Sequence, residues 1–389
     1  MAATFILGIE SSCDETAAAV VCSGARVVSN VVASQFAVHQ PYGGVVPELA
    51  SREHLRAIVP VVRQALAEAG RTYESVDAVA VTQGPGLAGS LLVGISYAKA
   101  LAFALEKPLI AVNHLEGHIH AVLLEERQRG QDRLRFPALS LVVSGGHTHL
   151  YLVQPSADTW SYRNIGHTRD DAAGEAFDKV AKLLGLPYPG GPIIGRLAAH
   201  GNGRAVKFPP AQIKHPDRRT PAPGPTKADT LGGNHLPGFD FSYSGIKTAV
   251  LRYVEIHALR PSIEARRTAL AKLAKATPED YLAHSDQMTL DLIASFEQAM
   301  VDDLVAKTLA AARHYDVQSV LVTGGVAANN HLRQTFDDQA SQAGFPVFFP
   351  SRPLSTDNAA MIAAAAYPKF VAGDFAGIDF SAEAGMRLG

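Results

Sequence analysis

The chain has 389 residues, a length that corresponds to two or three domains of ordinary size. Hydrophobic residues make up 47% and charged residues 19%, which excludes wholesale disorder, and the net charge of −2 does not by itself indicate a polyanionic partner. Two cysteines, Cys13 and Cys22, are too few for a disulfide framework and indicate a reducing compartment. No uncharged apolar stretch approaches the 18 residues that span a bilayer. We therefore expect a cytoplasmic protein that has no membrane partner.

Strand and helix patterns alternate along the first half, which predicts an α/β fold. A polar segment, Glu125–Arg135, ends this half and predicts an N-terminal lobe over residues 1–135. The predicted elements are strands Thr4–Ile9, Thr16–Cys22, Arg26–Ser34, Val76–Val81 and Leu109–Val112, and helices Pro47–Ala69, Ala88–Leu105 and Asn113–Arg127.

The second half begins like the first. Leu139–Val143 and His149–Val153 predict a hairpin that repeats Thr4–Cys22 about 134 residues later. The strand and glycine turn Val79–Gly84 recur at Val320–Gly325, about 241 residues later. Chance similarity of strand–glycine patterns remains the alternative for each repeat.

If both repeats reflect one duplication, the second half carries about 107 extra residues. This predicts a C-terminal lobe over 136–389 that contains an inserted helical and Pro-rich subdomain at about 172–285. Within that insertion, the Pro-rich stretch Phe208–Leu236 predicts an irregular surface loop.

The sequence His114-Leu-Glu-Gly-His118 places two histidines four residues apart at the start of a predicted helix. Residues i and i+4 lie on one helix face, so both imidazoles can bind one metal ion. The zinc-protease pattern requires Glu directly after the first His, where this chain has Leu115, so the spacing is compatible with a metal site but not with that protease. A pair of surface or capping histidines is the alternative.

Asp357 precedes a predicted Ala-rich helix, Ala359–Tyr367. It fits the N-cap of that helix, and, if it faced a cleft, it could instead complete a His–His–Asp metal site.

Gly84-Pro-Gly-Leu-Ala-Gly89 matches the dinucleotide-binding pattern, but it follows three strands rather than one, so glycines that permit close packing are the favoured interpretation. Ser242–Thr248 lacks the Walker A spacing, which excludes a P-loop ATPase. Asp14-Glu15 and Ser144–Thr148 lie in the two hairpin turns, where they could bind a phosphate directly or through a metal ion, or could simply be turns.

Seven segments together resemble the bacterial TsaD family, also called Gcp or YgjD, of tRNA N6-adenosine threonylcarbamoyltransferases. In chain order they are Gly8–Thr16, Tyr42–Arg52, His114–His118, Val143–Thr148, Asp170–Lys179, Gly324–Asn329 and Thr356–Asn358.

The resemblance implies an α/β, two-lobed actin-like (ASKHA, ribonuclease H-like) fold with a nucleotide in the cleft between the lobes. It also implies one divalent metal ion, Fe²⁺ ahead of Zn²⁺, on His114, His118 and Asp357. The substrate contacts that it implies are Val142, Val143, Ser144, Gly145, Gly146, Asp178, Gly191 and Asn329. We add Asp14 and Glu15 from their position in the first hairpin turn, and we assign no catalytic acid or base.

The implied reaction transfers a threonylcarbamoyl group from threonylcarbamoyl-AMP to N6 of adenosine 37 in tRNAs that read ANN codons. The implied partners are a TsaB-like actin-fold paralogue and a TsaE-like P-loop ATPase. Two alternatives from other classes are an actin-like small-molecule kinase and a non-catalytic actin-like subunit, although the latter is expected to lack the metal ligands.

The net charge conceals an uneven distribution. Residues 204–275 hold 13 Lys/Arg and 5 Asp/Glu, a net of +8, which leaves −10 for the rest of the chain. We expect this stretch to collect tRNA phosphates, with Arg218, Arg219, Arg266 and Arg267 as candidates, and a solvated charged face is the alternative.

Overall fold

The computed structural model describes residues 3–131, 133–156, 159–208, 213, 238–273 and 276–389. Its strands are β1 Phe5–Glu10, β2 Glu15–Cys22, β3 Arg26–Ser34, β4 Ala78–Gly84, β5 Leu109–Asn113, β6 Ala138–Val143, β7 Thr148–Pro155, β8 Trp160–His167, β9 Ser319–Thr323 and β10 Val347–Phe348.

The α-helices are interspersed with the strands, as the alternating pattern predicts. They are α1 Phe36–His39, α2 Pro47–Glu68, α3 Ala88–Leu105, α4 His114–Gln128, α5 Ala173–Leu183, α6 Gly190–Ala198, α7 Ser244–Ile256, α8 Arg260–Leu270, α9 Pro278–Ala283, α10 Gln287–His314, α11 Asn330–Ala343, α12 Arg352–Ser355 and α13 Ala359–Ala372.

The strands form two five-stranded sheets of the same topology. The first has the order β3-β2-β1-β4-β5, and the second, read in the same direction, has the order β8-β7-β6-β9-β10. In each sheet three antiparallel strands are followed by two parallel strands. Both sequence repeats therefore occupy equivalent positions, and the predicted two-lobed actin-like fold is confirmed.

The central strands are apolar because helices cover both faces of each sheet. All six residues of β1 and all six of β6 are buried, which is typical of strands in a sheet covered on both sides. Helices α2 and α3 pack on one face of the first sheet, and α13 packs on its other face together with α4.

The end of the chain returns to the first sheet. Helix α13 contacts β1, β2 and β5, and Gly8 of β1 lies so close to it that an added Cβ would be 2.4 Å from the Ala359 carbonyl oxygen. The boundary near residue 135 remains a prediction. A second lobe defined as 136–389 includes this helix, whose packing belongs to the first sheet.

The predicted insertion 172–285 contains helices α5 to α9 among its described residues. Apolar side chains of α5, α6 and α7 share one core cluster with the second sheet. The Pro-rich stretch falls almost entirely on residues 209–212 and 214–237, outside the described residues, and so do Arg218 and Arg219. The irregular loop therefore remains a prediction.

Among the described residues, one helix is long and apolar enough to cross a membrane by length and composition alone, although it is not uncharged because it contains Lys99. It is α3, with 18 residues, of which 33% are buried. Its side chains Leu91, Ile95 and Ala98 belong to the core on the first sheet.

Candidate metal centre and nucleotide cleft

A cleft of about 1750 Å³ is lined by residues next to both sheets. The first hairpin turn, the second hairpin turn, the start of α4 and the residues before α13 all line it. Ten of the predicted site residues lie along its walls: Asp14, Glu15, His114, Ser144, Gly145, Gly146, Asp178, Gly191, Asn329 and Asp357.

His114 and His118 lie on the first turns of α4, directly after β5. Asp357 comes from the loop before α13, and its Oδ1 is 3.2 Å from His118 Nε2 and 3.7 Å from His114 Nε2. One ligand atom from each residue lies within 4.8 Å of the other two. The structure thus brings together the three residues that the resemblance implies.

The chemistry of these atoms fits a metal ion. His118 Nδ1 is buried without a hydrogen-bond partner among the described residues, and the buried Nε2 has only the Asp357 carboxylate beside it, an arrangement that is costly unless something binds these groups. Two imidazoles and one carboxylate form the donor set typical of Zn²⁺ and of non-haem Fe²⁺. The donors do not distinguish between these two metals.

Glu10 supports this centre, and the sequence analysis missed it. Its Oε2 is 3.1 Å from His114 Nδ1 and accepts a hydrogen bond from Thr82 Oγ1 at 2.6 Å, while Ser12 Oγ lies 3.2 Å from the same His114 nitrogen. A carboxylate at Nδ1 fixes the imidazole so that Nε2 faces the ligand position. The available signal was a carboxylate at the end of the otherwise apolar strand β1.

The electrostatics of the centre follow from burial and close charges. Burial alone would lower the pKa of His114, but the carboxylates of Asp357 and Glu10 raise it to about 9. Burial opposes ionisation of Asp357, yet His114 and His118 hold the pKa of that carboxyl well below its usual range. Burial lowers the pKa of His118. The centre therefore favours an anionic carboxylate beside its imidazoles.

Two asparagine caps position the ligands. Asn113 Oδ1 accepts a hydrogen bond from Leu115 N at 2.9 Å, so α4 begins at His114. Asn358 Oδ1 accepts from Met361 N at 3.1 Å and caps α13. The interpretation of Asp357 as the N-cap is therefore wrong, and its side chain is directed at the histidines instead.

The second hairpin turn presents backbone rather than side chains. The Ser144 amide donates to the His147 carbonyl at 2.7 Å, whereas the amides of Gly145 and Gly146 have no partner among the described residues. A Cβ added to either glycine would meet no atom within 4 Å. Free amides beside open space, close to the N-terminus of α5, suit an anion.

Val142 and Val143 differ from their neighbours in this segment. Both are fully buried in β6, so only their backbone could take part in binding, and their role remains a prediction.

Asp178 and Gly191 lie on the wall formed by α5 and α6. Asp178 Oδ1 accepts a hydrogen bond from Gly190 N at 2.6 Å, and burial raises the pKa of this carboxyl to about 6. Gly191 faces open space, since an added Cβ would meet nothing within 4 Å. On the neighbouring wall, Asn329 donates to Glu297 Oε1 at 2.6 Å and caps α11.

Asp14 and Glu15 also line the cleft. The Tyr188 hydroxyl lies 3.4 Å from Asp14 Oδ2, a contact between the first hairpin and the segment before α6. Burial and the adjacent Asp14 raise the pKa of Glu15 well above its usual range. The first hairpin turn therefore adds two carboxyl groups to the same cleft as the glycine turn.

Within the basic stretch, Arg266 does not fit the expected role in tRNA binding. It is 1% exposed and donates to His284 O at 3.1 Å, to Thr289 Oγ1 at 3.3 Å and to Leu184 O, so it holds α8 in the core. Arg267 is paired with Glu264. The expected tRNA-binding role of Arg266 is wrong, because its buried guanidinium already donates hydrogen bonds to acceptors within the protein.

Comparisons with known proteins show the family of this chain. The family model described as TsaD, tRNA N6-adenosine threonylcarbamoyltransferase, matches residues 26–364. A protein of Koribacter versatilis with that enzyme name is 65% identical over 388 residues, which cover 100% of both chains. One of Moorella thermoacetica, with the same name, is 50% identical over 379 residues, 97% of this chain and 96% of the relative.

A solved structure supports the fold alone. Full-length HypF in its phosphate- and nucleotide-bound form is 11% identical, covers 95% of this chain and 46% of its own, and has a TM-score of 0.50. His114, Asp357 and the glycine turn line one cleft, with His118 buried beside Asp357, in a chain that matches the family model and these relatives over nearly its full length. The chain belongs to the TsaD family of tRNA N6-adenosine threonylcarbamoyltransferases.

Proposed function

We propose that this chain transfers the threonylcarbamoyl group of threonylcarbamoyl-AMP to N6 of adenosine 37 in tRNAs that read ANN codons. The observation that carries the proposal is that the His114–His118–Asp357 cluster, through His114 and Asp357, and the Gly145–Gly146 turn reach one cleft in a member of this family. One wall of this cleft suits a metal ion and another suits a phosphate.

The reaction replaces one bond to the carbamoyl carbon with another. The exocyclic amine of adenine is a weak nucleophile because its lone pair is delocalised into the ring, so it needs an activated donor. A bond forms between N6 and the carbamoyl carbon, the bond from that carbon to the phosphate oxygen breaks, and AMP departs. N6 loses one proton, for which a cleft carboxylate and the departing phosphate are the two candidate acceptors.

The chain's own groups bind and orient the donor. The Gly145 and Gly146 amides would donate to the phosphate, and the N-terminus of α5 adds a favourable dipole. Asp178 and Asn329 would contact the ribose and the base. Asp178 can accept hydrogen bonds from ribose hydroxyls when it is ionised. Holding the donor in one orientation makes its carbonyl accessible to N6.

His114, His118 and Asp357 would hold a divalent metal, Fe²⁺ or Zn²⁺. Such an ion, when bound, supplies a Lewis acid that polarises a carbonyl oxygen. Glu10 and Ser12 orient the His114 ring through Nδ1, and this leaves Nε2 for the ion.

The tRNA must present its base from a single-stranded loop, since N6 is paired and stacked in a duplex. We propose that the chain works with a TsaB-like paralogue and a TsaE-like ATPase, as the family resemblance implies. The cytoplasm is the compartment that fits two cysteines left free in the fold.

The direct test combines the chain, both partners, threonylcarbamoyl-AMP and unmodified tRNA, and measures the modified nucleoside by mass spectrometry. We expect transfer by the wild type and a loss of at least about a hundredfold in the His114→Ala/His118→Ala double variant. His257→Ala, which changes an exposed histidine, serves as the control. Equal transfer by the double variant rules out the metal role, and phosphorylation of a small molecule without transfer supports the kinase alternative.

A further inference from the structure

The segment that follows α13 has no regular structure, yet it is tightly held. The Glu383 amide donates to the Gln83 carbonyl at 3.0 Å, and the Gln83 side chain donates back to Ser381 O at 3.2 Å. Lys99 of α3 donates to the Phe380 carbonyl and lies 4.5 Å from the centre of that ring. The segment is thus fixed along the end of the first sheet.

The glycine motif at 84–89 serves this segment. A Cβ on Gly84 would be 2.0 Å from the Glu383 carbonyl oxygen, and the Gly86 amide donates to the Ala384 carbonyl at 3.2 Å. A Cβ on Gly86 would also be 2.6 Å from the Ser12 carbonyl oxygen. These glycines permit close packing, as the favoured interpretation predicts, and the motif has no need of a dinucleotide.

Asn113 connects the segment to the metal-binding helix. Its Nδ2 donates to the Arg387 carbonyl at 3.1 Å, while its Oδ1 accepts from the amide of Leu115. One side chain therefore caps α4 and binds the segment, and the next residue is the ligand His114. The cap cannot shift without disturbing both contacts.

Leu388 anchors the far end of the segment. It is 7% exposed and packs in one cluster with Leu115 and Ile119 of α4 and with Val142 and Tyr151 of the second sheet. Leu115 and Ile119 each directly follow a metal ligand. The anchor consequently belongs to the apolar cluster that joins the helix carrying the histidines to the sheet carrying the glycine turn.

We propose that Ser381–Leu388 is a positioning element of the metal centre, which holds the first turns of α4 so that His114 and His118 converge with Asp357. The inference rests on the proposed metal site and adds residues that do not touch the ion. Asn113 and Leu388 are positioning residues, and Ala384, which lines the cleft, links the segment to the substrate wall.

The test measures Co²⁺ binding to the full chain, by visible absorption and by competition with a chromophoric chelator. Asn113→Ser keeps an oxygen that can cap α4 but cannot reach the Arg387 carbonyl. Leu388→Ala removes the anchor. We expect each to weaken Co²⁺ binding about tenfold or more and to change the absorption spectrum, as loss of outer contacts does at metal sites.

Three controls make the result specific. Ile378→Ala removes a 60% exposed side chain just before Ser381–Leu388 and should bind Co²⁺ like the wild type. Leu388→Met keeps the apolar volume of the side chain and should bind Co²⁺ like the wild type. Thermal unfolding, monitored by circular dichroism, shows whether each variant is folded. If Leu388→Ala does not fold, the Co²⁺ affinity of Asn113→Ser tests the positioning role alone.

The outcomes separate the inference from the proposed function. If the wild type binds Co²⁺ but both Asn113→Ser and Leu388→Ala bind it with wild-type affinity, the positioning role is overturned and the metal site stands. If the wild type binds Co²⁺ no better than His118→Ala, the proposed metal site is wrong and the inference fails with it.

Discussion

The two hairpin turns occupy equivalent places in two sheets of the same topology, but they present opposite chemistry. The first turn, Glu10–Glu15, carries three carboxylates, and Glu10 supports the metal ligand His114. The second turn, Ser144–His147, offers free glycine amides beside open space. A duplicated framework can thus place a metal support on one side of a cleft and an anion-binding turn on the other.

Metal binding should have the largest effect, and it should depend on the centre that the first turn supports and not on the second turn. Zn²⁺ at a hundred times its dissociation constant stabilises the folded chain by about 2.7 kcal/mol, because the unfolded chain lacks the site. The Tm should therefore rise by several degrees and fall again with a chelator. His118→Ala should show no shift in calorimetry, whereas Gly145→Ala should shift like the wild type.

Glu10→Gln tests the carboxylate support of the first turn. Gln keeps the shape but replaces a charged acceptor for His114 Nδ1 with a neutral one, so Zn²⁺ affinity should fall about tenfold or more. Competition with a chelator measures it. Glu68→Gln, on the exposed face of α2, is the matched control. If Glu10→Gln bound Zn²⁺ with wild-type affinity, the first turn would have no metal-supporting role to distinguish it from the second.

Gly145→Ala tests the open space of the second turn. The added methyl group meets no protein atom within 4 Å but occupies the path of a phosphate, so AMP binding should weaken about tenfold while the Tm stays constant. Gly174→Ala should instead lower the Tm. Its Cβ would be 2.6 Å from the Ser144 carbonyl oxygen, so the added methyl group strains the fold. Calorimetry of both variants, with and without AMP, separates the two effects.

The smallest expected effect is a pH dependence at Asp178. Because burial raises its pKa to about 6, the carboxylate accepts hydrogen bonds from ribose above that pH and is protonated below it. Affinity for the methyl ester of AMP, whose phosphate does not titrate in this range, should fall about threefold between pH 7 and pH 5. Asp178→Asn should bind this ester weakly at every pH between 5 and 7. If the affinity of the wild type were equally independent of pH, Asp178 would be excluded as the ribose contact.

Sequence patterns predicted the elements best where turn residues mark their ends. Helix Ala88–Leu105 and strand Arg26–Ser34 have the predicted bounds, because glycines precede both elements and Pro108 follows the helix. The strand predicted at Val76–Val81 is instead Ala78–Gly84, because its end is set by pairing with β5 and by the segment packed on Gly84.

The candidate site was predictable only in part. The spacing of His114 and His118 is compatible with a shared metal ion, Asp357 was open as an N-cap or a third ligand, and the resemblance implied the ligand role. The choice between N-cap and ligand for Asp357 depended on Asn358, whose side chain takes the cap. Burial of Arg266 in the core likewise could not be read from its charge, because it depends on carbonyl groups brought close by tertiary packing.

The sequence by itself determined the α/β class, the repeat of one strand unit in two halves and the family to which the chain belongs. Tertiary structure decided which distant groups meet: Glu10 and Ser12 at His114, Asp357 at His118, and Arg387 at Asn113. Local patterns indicate whether a segment is a helix or a strand and which residues it buries. Contacts between elements depend on the order of the strands and on helix packing. Those contacts place a carboxylate and a late segment of the chain around one pair of histidines.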